Sequence, residues 1–260
     1  MSCLQINNIN LELGGTQILH DISATVNRGE VIGLIGPNGA GKSSLLRSIL
    51  GLVEIKTGTV FVDDQDIEKL NIKERARKIA YAAQGAPVHW PLTVEHIVGL
   101  GRVPHLNPWQ KMTDDDQHFI DRAMQKTDCT HLKERSVTSL SGGERARVLL
   151  ARVLATNAPY IMADEPVASL DPAHQLQVME ILKNLSHTEH GVIVVMHDLS
   201  MALRYCDRLI LLNDGKMVGQ DTPEIILNDK NLEQVFSVRA SRWSGDGEDF
   251  LATYSINRDS

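Results

Sequence analysis

A glycine-rich octapeptide, Gly36-Pro37-Asn38-Gly39-Ala40-Gly41-Lys42-Ser43, has the residue types and spacing of a phosphate-binding loop. Its glycines let the backbone curl tightly, so that several N–H groups point inward at phosphate oxygens. Lys42 would bring a full positive charge to the β- and γ-phosphates, and the Ser43 hydroxyl is placed to ligate Mg²⁺. We therefore assign this loop and the following Ser44 to the binding of a nucleoside triphosphate with Mg²⁺.

Two carboxylates, Asp164 and Glu165, follow the apolar run Tyr160-Ile161-Met162-Ala163. Asp164, at the end of a buried strand, can complete the Mg²⁺ shell that Ser43 begins. Glu165 is then placed to polarise an attacking water as a general base. Acidic pairs are common on protein surfaces, but this pair ends an apolar strand in a chain that also carries a phosphate-binding loop. That context predicts hydrolysis of the bound nucleotide.

A second anion site is predicted at Leu140-Ser141-Gly142-Gly143-Glu144, which opens a helix running to about Thr156. Ser-Gly-Gly at a helix start offers unpaired backbone N–H groups, a hydroxyl and the positive end of the helix dipole. A chain with one phosphate-binding loop does not need a second phosphate site in the same pocket. The natural interpretation is that this turn serves the nucleotide bound by a second copy of the chain.

With these motifs the sequence resembles the ATP-binding subunits of ABC transporters, and the resemblance covers nearly the whole chain. The signature differs from its commonest form in having Glu144 in place of Gln. The resemblance implies that Gln84 is the Q-loop residue, that His197 contacts the γ-phosphate, and that Ser169-Leu170-Asp171 crosses a dimer seam. It also implies a head-to-tail dimer in which ATP lies between one phosphate-binding loop and the partner's signature. The catalytic residues so implied are Lys42, Gln84, Glu165 and His197, and the magnesium ligands are Ser43, Gln84 and Asp164.

One position departs from the family pattern. Where the family usually has an aromatic residue that stacks on adenine, this chain has Leu13, in the stretch Leu11-Glu12-Leu13-Gly14-Gly15. Aliphatic packing on a base is weaker and less specific than aromatic stacking. We therefore expect softer discrimination between ATP and GTP.

The pattern of short apolar runs alternating with helical periodicity predicts an α/β fold with a mainly parallel sheet. The predicted strands are Val31–Ile35, Thr59–Val62, Ile79–Ala83, Tyr160–Ala163, Val192–Met196 and Arg208–Leu212. Earlier strands look like hairpins and predict a separate antiparallel layer. Thr113 before Asp114-Asp115-Asp116 predicts a capped helix start.

The predicted domain organisation follows the resemblance to P-loop ATPases of the ABC type. Residues 1–240 form the ATPase domain, with a core of about 1–85 and 158–240. Residues of about 86–157, where the periodicity is mostly helical, form an inserted α-helical subdomain. Residues 241–260 form a tail that is predicted to pack on the core as a hairpin, with Gly245-Asp246-Gly247 at its turn.

The composition is that of an ordinary globular protein, with 42% apolar and 23% charged residues among 260. The formal net charge of −7 argues against nucleic acid as a partner. No apolar run approaches the roughly 18–20 residues needed to cross a bilayer. Cys3, Cys129 and Cys206 fit no metal or redox spacing and are expected to be unpaired thiols.

The resemblance also implies the partners. A separate ATPase subunit favours an importer that works with integral membrane permeases and, indirectly, a substrate-binding protein, at the cytoplasmic face of the inner membrane. The stretches from Arg77 to Gln84 and from Gly101 to His105 are similar to ATPases that import metal chelates, with iron-siderophore expected first and heme or cobalamin behind it. The permease is expected near Gln84 to Arg102, where Pro87, Val88, Trp90 and Leu92 form an apolar set. These four residues can equally well pack the subdomain hinge.

Two other classes stay open at this point. One is a soluble ABC ATPase without a permease, of the cluster-assembly type. The other is a regulatory nucleotide-binding module without turnover, against which the intact Glu165 and His197 argue.

Overall fold

Strands and helices alternate along the chain in the computed structural model, which describes residues 3–85, 90–168, 170–187, 190–245 and 247–256. The strands are β1 (Cys3–Leu13), β2 (Thr16–Asn27), β3 (Val31–Ile35), β4 (Thr57–Val62), β5 (Gln65–Asp66), β6 (Ile79–Ala82), β7 (Tyr160–Asp164), β8 (Gly191–Val195), β9 (Arg208–Asn213), β10 (Lys216–Asp221), β11 (Val238–Gly245) and β12 (Glu248–Ser255). The helices are α1 (Lys42–Ile49), α2 (Ile72–Lys78), α3 (Val94–Gly99), α4 (Asp114–Lys126), α5 (Gly142–Ala155), α6 (Pro172–Ser186), α7 (Leu199–Tyr205), α8 (Pro223–Ile226) and α9 (Asp229–Phe236). Within these described ranges, none of the helices has the length and apolar character that a membrane span requires.

The central sheet has six strands in the order β10-β9-β3-β8-β7-β6. The strands from β9 to β6 pair in parallel, while β10, at one edge, pairs antiparallel with β9. Every residue of β3, β7 and β8 is buried. A strand that is buried on both faces has a continuous run of apolar residues, so the positions of these three strands could be predicted from the sequence. The predicted mainly parallel sheet is confirmed.

A second sheet, in the order β2-β1-β4-β5, is antiparallel. Strands β1 and β2 form a hairpin whose two turn residues, Gly14 and Gly15, have φ of 57° and 81°. Positive φ at both positions is what a tight hairpin turn of this twist requires. The buried face of this sheet shares one apolar cluster with α1 and with one face of the central sheet. The predicted antiparallel layer is confirmed.

Helices α3, α4 and α5 lie in the chain between β6 and β7 and share an apolar core of their own. They fall inside the predicted helical insertion, of which residues 86–89 lie outside the described part. Thr113 caps α4, because its hydroxyl accepts from the backbone N–H of Asp116 and the Asp116 carboxylate accepts from the backbone N–H of Thr113. This reciprocal box confirms the helix start predicted at the acidic triplet.

A buried ion pair joins Arg102 to Asp116 inside this helical layer. The Arg102 Nε donates to Asp116 Oδ1 at 2.9 Å, and the two side chains are 6% and 7% exposed. The guanidinium also donates to the backbone oxygen of Ala155 at 2.8 Å and lies 4.4 Å from the ring centroid of Phe119. Arg102 ends the stretch predicted to meet a membrane partner, but it is enclosed by these contacts. Arg102 itself is therefore not exposed to a partner, and the permease contact near Gln84 to Arg102 stays a prediction.

The C-terminal strands β11 and β12 pair antiparallel from Val238↔Ser255 to Gly245↔Glu248. The hairpin therefore begins before residue 241, where the tail was predicted to start. Leu251 is buried in the core cluster that includes α7, and Arg204 of α7 pairs with Glu248. Asp246, in the predicted turn, lies outside the described residues.

Candidate active site

The predicted catalytic residues follow the carboxyl ends of four parallel strands. The glycine-rich loop follows β3, Gln84 follows β6, Asp164 and Glu165 end and follow β7, and His197 follows β8. The carboxyl ends of parallel strands lie at the same edge of a sheet, which is where open α/β sheets bind their ligands. The sheet order β3-β8-β7-β6 therefore brings these side chains to one place.

Two glycines of the loop have conformations that a side chain would prevent. Gly36 has φ of 150°, and a Cβ there would lie 2.2 Å from the backbone oxygen of Leu212. Gly41 has φ of 96° and caps α1, and a Cβ there would lie 2.7 Å from Leu19 Cδ2. The loop can therefore approach β9 and β2 closely, which a side chain at either position would prevent.

Lys42, the first residue of α1, points its ammonium into this loop. Its Nζ donates to the backbone oxygens of Gly36 at 2.8 Å and Pro37 at 2.9 Å, and the residue is 6% exposed. Burial lowers the pKa of Lys42, and the nearby charges of Glu165 and Asp164 oppose that shift. The cation is thus held where phosphate oxygens would replace the loop carbonyls as its partners.

Ser43 and Asp164 form the oxygen pair that fits Mg²⁺. The Ser43 hydroxyl donates to Asp164 Oδ1 at 3.2 Å, and Asp164 is 3% exposed at the end of β7. Hydroxyl, carboxylate and phosphate oxygens are the hard ligands that Mg²⁺ prefers. Tyr81 donates its hydroxyl to the other carboxylate oxygen, Asp164 Oδ2, at 3.3 Å and fixes the carboxylate's orientation. Burial, and then the charge of Asp164, raise the pKa of Tyr81.

Glu165 lies between Gln84 and His197. The Gln84 Nε2 donates to Glu165 Oε2 at 2.6 Å, and the His197 Nε2 donates to Glu165 Oε1 at 2.5 Å. Glu165 has φ of 50°, a left-handed conformation that is uncommon for a residue with a side chain. Each carboxylate oxygen keeps a lone pair for a water, since a carboxylate offers about four acceptor positions. The hydrogen bond to Glu165 uses the amide nitrogen of Gln84, and the amide oxygen could serve as a metal ligand.

The signature turn lies on a different part of the fold, at the start of α5. Ser141 caps the helix by accepting from the backbone N–H of Glu144, and the Glu144 carboxylate accepts from the backbone N–H of Ser141 at 2.8 Å. The hydrogen bond from the Ser141 backbone lowers the pKa of Glu144. Ser141 and Gly142 are exposed. Among the residues that the structure describes, no hydrogen bond joins this turn to the Gly36–Ser43 loop.

The described part of the predicted D-loop, Leu170 and Asp171, contacts the signature through His174. Asp171 caps α6 by accepting from the His174 backbone N–H at 3.1 Å, and its Oδ2 accepts from the His174 Nδ1 at 2.6 Å. The His174 ring occupies the space beside Gly143, where a Cβ would lie 2.0 Å from its Cδ2. Ser169 lies outside the described residues.

Sequence reasoning missed the contributions of Tyr81 and His174. Tyr81 stands within β6, three residues before the polar Gln84, and an aromatic hydroxyl in that position was a usable signal. His174 stands three residues after Asp171, which puts it one helical turn from the cap. Its contact with Gly143, 31 positions earlier in the chain, had no sequence signal.

Comparison with known proteins gives the family. The model of the ABC transporter family matches residues 19–168. The cobalamin import ATP-binding protein BtuD of Halobacterium salinarum is 41% identical over 239 residues, which is 92% of this chain and 60% of that protein. The hemin import ATP-binding protein HmuV of Pseudomonas entomophila is 38% identical over 240 residues, 90% of this chain and 92% of that protein.

Comparison with solved structures supports the same family. A solved ATP-binding cassette of an ABC transporter, in its ADP conformation, superposes with a TM-score of 0.82 at 26% identity, covering 91% of this chain and 97% of that one. This chain spans about 60% of the length of the cobalamin relatives and nearly the full length of the hemin relative. The fold and the site define a P-loop nucleotide-binding protein of the α/β class. The chain belongs to the ABC transporter family, whose ATP-binding subunits are ATPases coupled to transport.

Proposed function

We propose that this chain is the ATP-hydrolysing subunit of a metal-chelate importer and that two copies close on two ATP molecules. The proposal rests on the position of the Glu165 carboxylate, which accepts hydrogen bonds from both Gln84 and His197. The carboxylate lies at the same edge of the sheet as the glycine-rich loop, whose carbonyls accept from Lys42. A left-handed backbone conformation at Glu165 costs free energy, and such conformations cluster at catalytic sites. This favours a catalytic role over a binding module without turnover.

Each residue of the candidate active site has a separate role in the proposed hydrolysis of ATP. Glu165 accepts the proton of the attacking water, and the His197 N–H and the Gln84 amide hold the carboxylate in position. Lys42 and the backbone N–H groups of the loop stabilise the negative charge that develops on the transferred phosphoryl group. Ser43, Asp164 and Gln84 would hold Mg²⁺, which supplies charge neutralisation at the β- and γ-phosphates when bound.

The exposed signature turn supports the two-copy arrangement. Ser141 and Gly142 present a hydroxyl and the first backbone N–H groups of α5 to the outside of the chain, where a helix start attracts phosphate. A second copy, turned head to tail, would supply this turn to the nucleotide on the first copy's loop. Asp171, held by His174 against the same turn, would then lie at the seam between the copies.

We place the proposed docking site for the permease in the groove between the core and the helical layer. A cavity of about 630 Å³ there is lined by apolar side chains that include Leu52, Ile72 and Leu100, which are 62%, 81% and 47% exposed. Trp90 and Leu92, from the set predicted to meet the permease, are 74% and 39% exposed. Pro87 and Val88 of that set lie outside the described residues. The exposed apolar side chains that line this groove, Leu52, Ile72 and Leu100, favour burial against a short helix of a partner.

The relatives support the proposed cargo class, since their names state import of cobalamin and of hemin, both metal chelates. An iron-siderophore, heme and cobalamin remain the three candidates, and the ATPase would act from the cytoplasmic face of the membrane without touching any of them. Uptake of each labelled chelate by cells with and without this chain would separate the three. Uptake that is unchanged for all three when the chain is deleted would contradict the importer assignment.

Phosphate release tests the activity itself. The purified chain with ATP and Mg²⁺ should release phosphate, and its association with membranes should require permease subunits. A chain that releases phosphate but never co-purifies with membrane protein would instead be a soluble ATPase.

A further inference from the structure

A second cavity, of about 430 Å³, lies at the opposite edge of the central sheet from the candidate active site. Its lining residues Arg28, Lys78, Pro159 and His190 come shortly before β3, β6, β7 and β8, at the amino ends of the strands whose carboxyl ends carry the catalytic residues. Arg122 and Lys126 of α4 close the other side. We call this space the basic cavity.

The basic cavity concentrates positive charge in an acidic protein. Among the described residues that line it, five are lysines or arginines and one is acidic: Arg28, Arg77, Lys78, Arg122 and Lys126, with Asp63. Asp63 is already engaged, since it pairs with Arg28 at 2.6 Å and accepts from the Tyr160 hydroxyl at 3.1 Å. The remaining cations therefore exceed the acids available to them.

The cations on α4 are the ones without partners. Within the described residues, neither Arg122 nor Lys126 makes a hydrogen bond or an ion pair, and Arg28 Nε is buried without a hydrogen-bond partner. Burial lowers the pKa of Lys126, and the charge of Arg122 lowers it further. Like charges that face one cavity repel each other, and a bound anion would remove that cost.

His190 lies close enough to three of these cations for their charges to act on its ring. Burial lowers its pKa most, and the charges of Lys126, Arg122 and Arg28 lower it further, so all three cations act on one ring. The His190 Nδ1 donates to the backbone oxygen of Ala158 at 2.9 Å, which fixes the ring in the cavity wall.

We propose that the basic cavity binds a small anion carrying a diphosphate or longer oligophosphate group, separately from the ATP site. Guanidinium and ammonium groups from the core and from α4 surround the space, and guanidinium matches phosphate with paired donors. The volume lies within the range of small-ligand pockets, roughly 300–1,000 Å³. Because Arg28 and Lys78 belong to the core and Arg122 and Lys126 to α4, a bound oligophosphate ties the helical layer to the core.

The test is a titration of the full chain with pyrophosphate, followed by calorimetry, in a Lys42→Gln background that disables the active-site loop. The pocket variant is Arg122→Gln with Lys126→Gln, and the matched control is Lys111→Gln with Lys230→Gln, which removes the same charge elsewhere. We expect saturable binding that the pocket variant weakens at least tenfold and the control leaves unchanged. ADP titrated in parallel distinguishes a nucleotide, which would bind more tightly than pyrophosphate, from a free oligophosphate.

The thermal midpoint gives a second readout. Pyrophosphate should raise the midpoint of the Lys42→Gln chain and of the control, but not that of the pocket variant. Absence of saturable binding, equal loss in the control, or equally tight binding of citrate would each overturn the proposal.

Discussion

The His197 imidazole, two positions past the end of β8, donates to the carboxylate of Glu165, the residue after β7, at 2.5 Å. The two strands are neighbours in the sheet, which brings together residues 32 positions apart. Gln84, after β6, holds the other oxygen of the same carboxylate. The proposed general base is thus positioned from both sides by the strand order itself.

Replacing Glu165 by Gln should reduce ATP turnover by about 10²–10⁴-fold, the usual contribution of a general base, because an amide cannot accept the water's proton. Binding of ATP should be retained, since the amide keeps the shape of the carboxylate. Phosphate release and nucleotide binding measured side by side check this. Glu224→Gln, on the exposed surface of α8, is the control and should turn over normally. Turnover within threefold of the wild type would remove Glu165 from the mechanism.

Gly143→Ala should lower turnover about tenfold, equivalent to roughly 1.4 kcal/mol. The new Cβ would displace the His174 ring, which lies 2.0 Å from that position and bonds to Asp171. Gly245→Ala is the control and should leave turnover unchanged, because Gly245 lies in β11, away from the signature turn, and a Cβ there meets Phe250 Cε2 at an ordinary 3.9 Å.

Combining Gly143→Ala with His174→Ala tests the mechanism of that loss. If displacement of His174 is the cause, the double variant should be no slower than His174→Ala alone. Additive losses would show that the ring is not the link between the signature and the D-loop.

Leu13→Tyr should strengthen the binding of ATP and of GTP about tenfold each, because base–aromatic stacking is worth roughly 1–3 kcal/mol and every base offers a π-face. Leu13 is 44% exposed at the end of β1, beside the Gly14–Gly15 turn, so the ring has room. The kcat/KM for both nucleotides measures the effect, with Leu52→Tyr as a control at another exposed leucine. A wild-type chain that already prefers ATP strongly would contradict the expectation of soft discrimination.

Asp116→Asn should destabilise the fold by about 3 kcal/mol, because it leaves the buried Arg102 guanidinium without its counter-charge. Chemical unfolding monitored by circular dichroism measures this. Asp114→Asn, in the same first turn of α4 but exposed, should change stability little. Equal effects of the two substitutions would mean that the ion pair is not stabilising the helical layer.

The contribution of Asp116 should depend on pH in the acid range. Hydrogen bonds from Thr113, and then the contact with Arg102, hold the pKa of Asp116 below its ordinary value, although burial opposes the shift. A carboxylate with a lowered pKa stabilises the fold above its unfolded pKa of about 3.9, and that stabilisation is lost as pH falls through the folded pKa. The stability gap between wild type and Asp116→Asn should therefore be constant above about pH 5 and shrink below pH 4. A gap that widens on acidification would contradict this assignment.

The sequence predicted the elements that carry their own signal. Strands β3, β7 and β8 are buried throughout, and each is a short apolar run that ends at a functional residue. Helix α2, by contrast, has no buried residue, so it shows no apolar periodicity. Its reciprocal cap between Asn71 and Glu74 was the usable signal, and periodicity alone did not find it.

Contacts across the fold could not be predicted in the same way. The acidic triplet before α4 was correctly predicted as a helix start, yet nothing in it shows that Asp116 alone is buried against Arg102. The hydrogen bond from Tyr81 to Asp164 and the packing of His174 beside Gly143 could not be predicted either. Both contacts depend on the order of strands in the sheet and on how the helices pack, which the local sequence does not show.

A structure of the Glu165→Gln chain with ATP and Mg²⁺ tests the joint site most directly. We expect two copies head to tail, with each triphosphate contacted by Lys42 of one copy and by Ser141 and Gly143 of the other. A single copy that surrounds the triphosphate using residues of its own chain would contradict it.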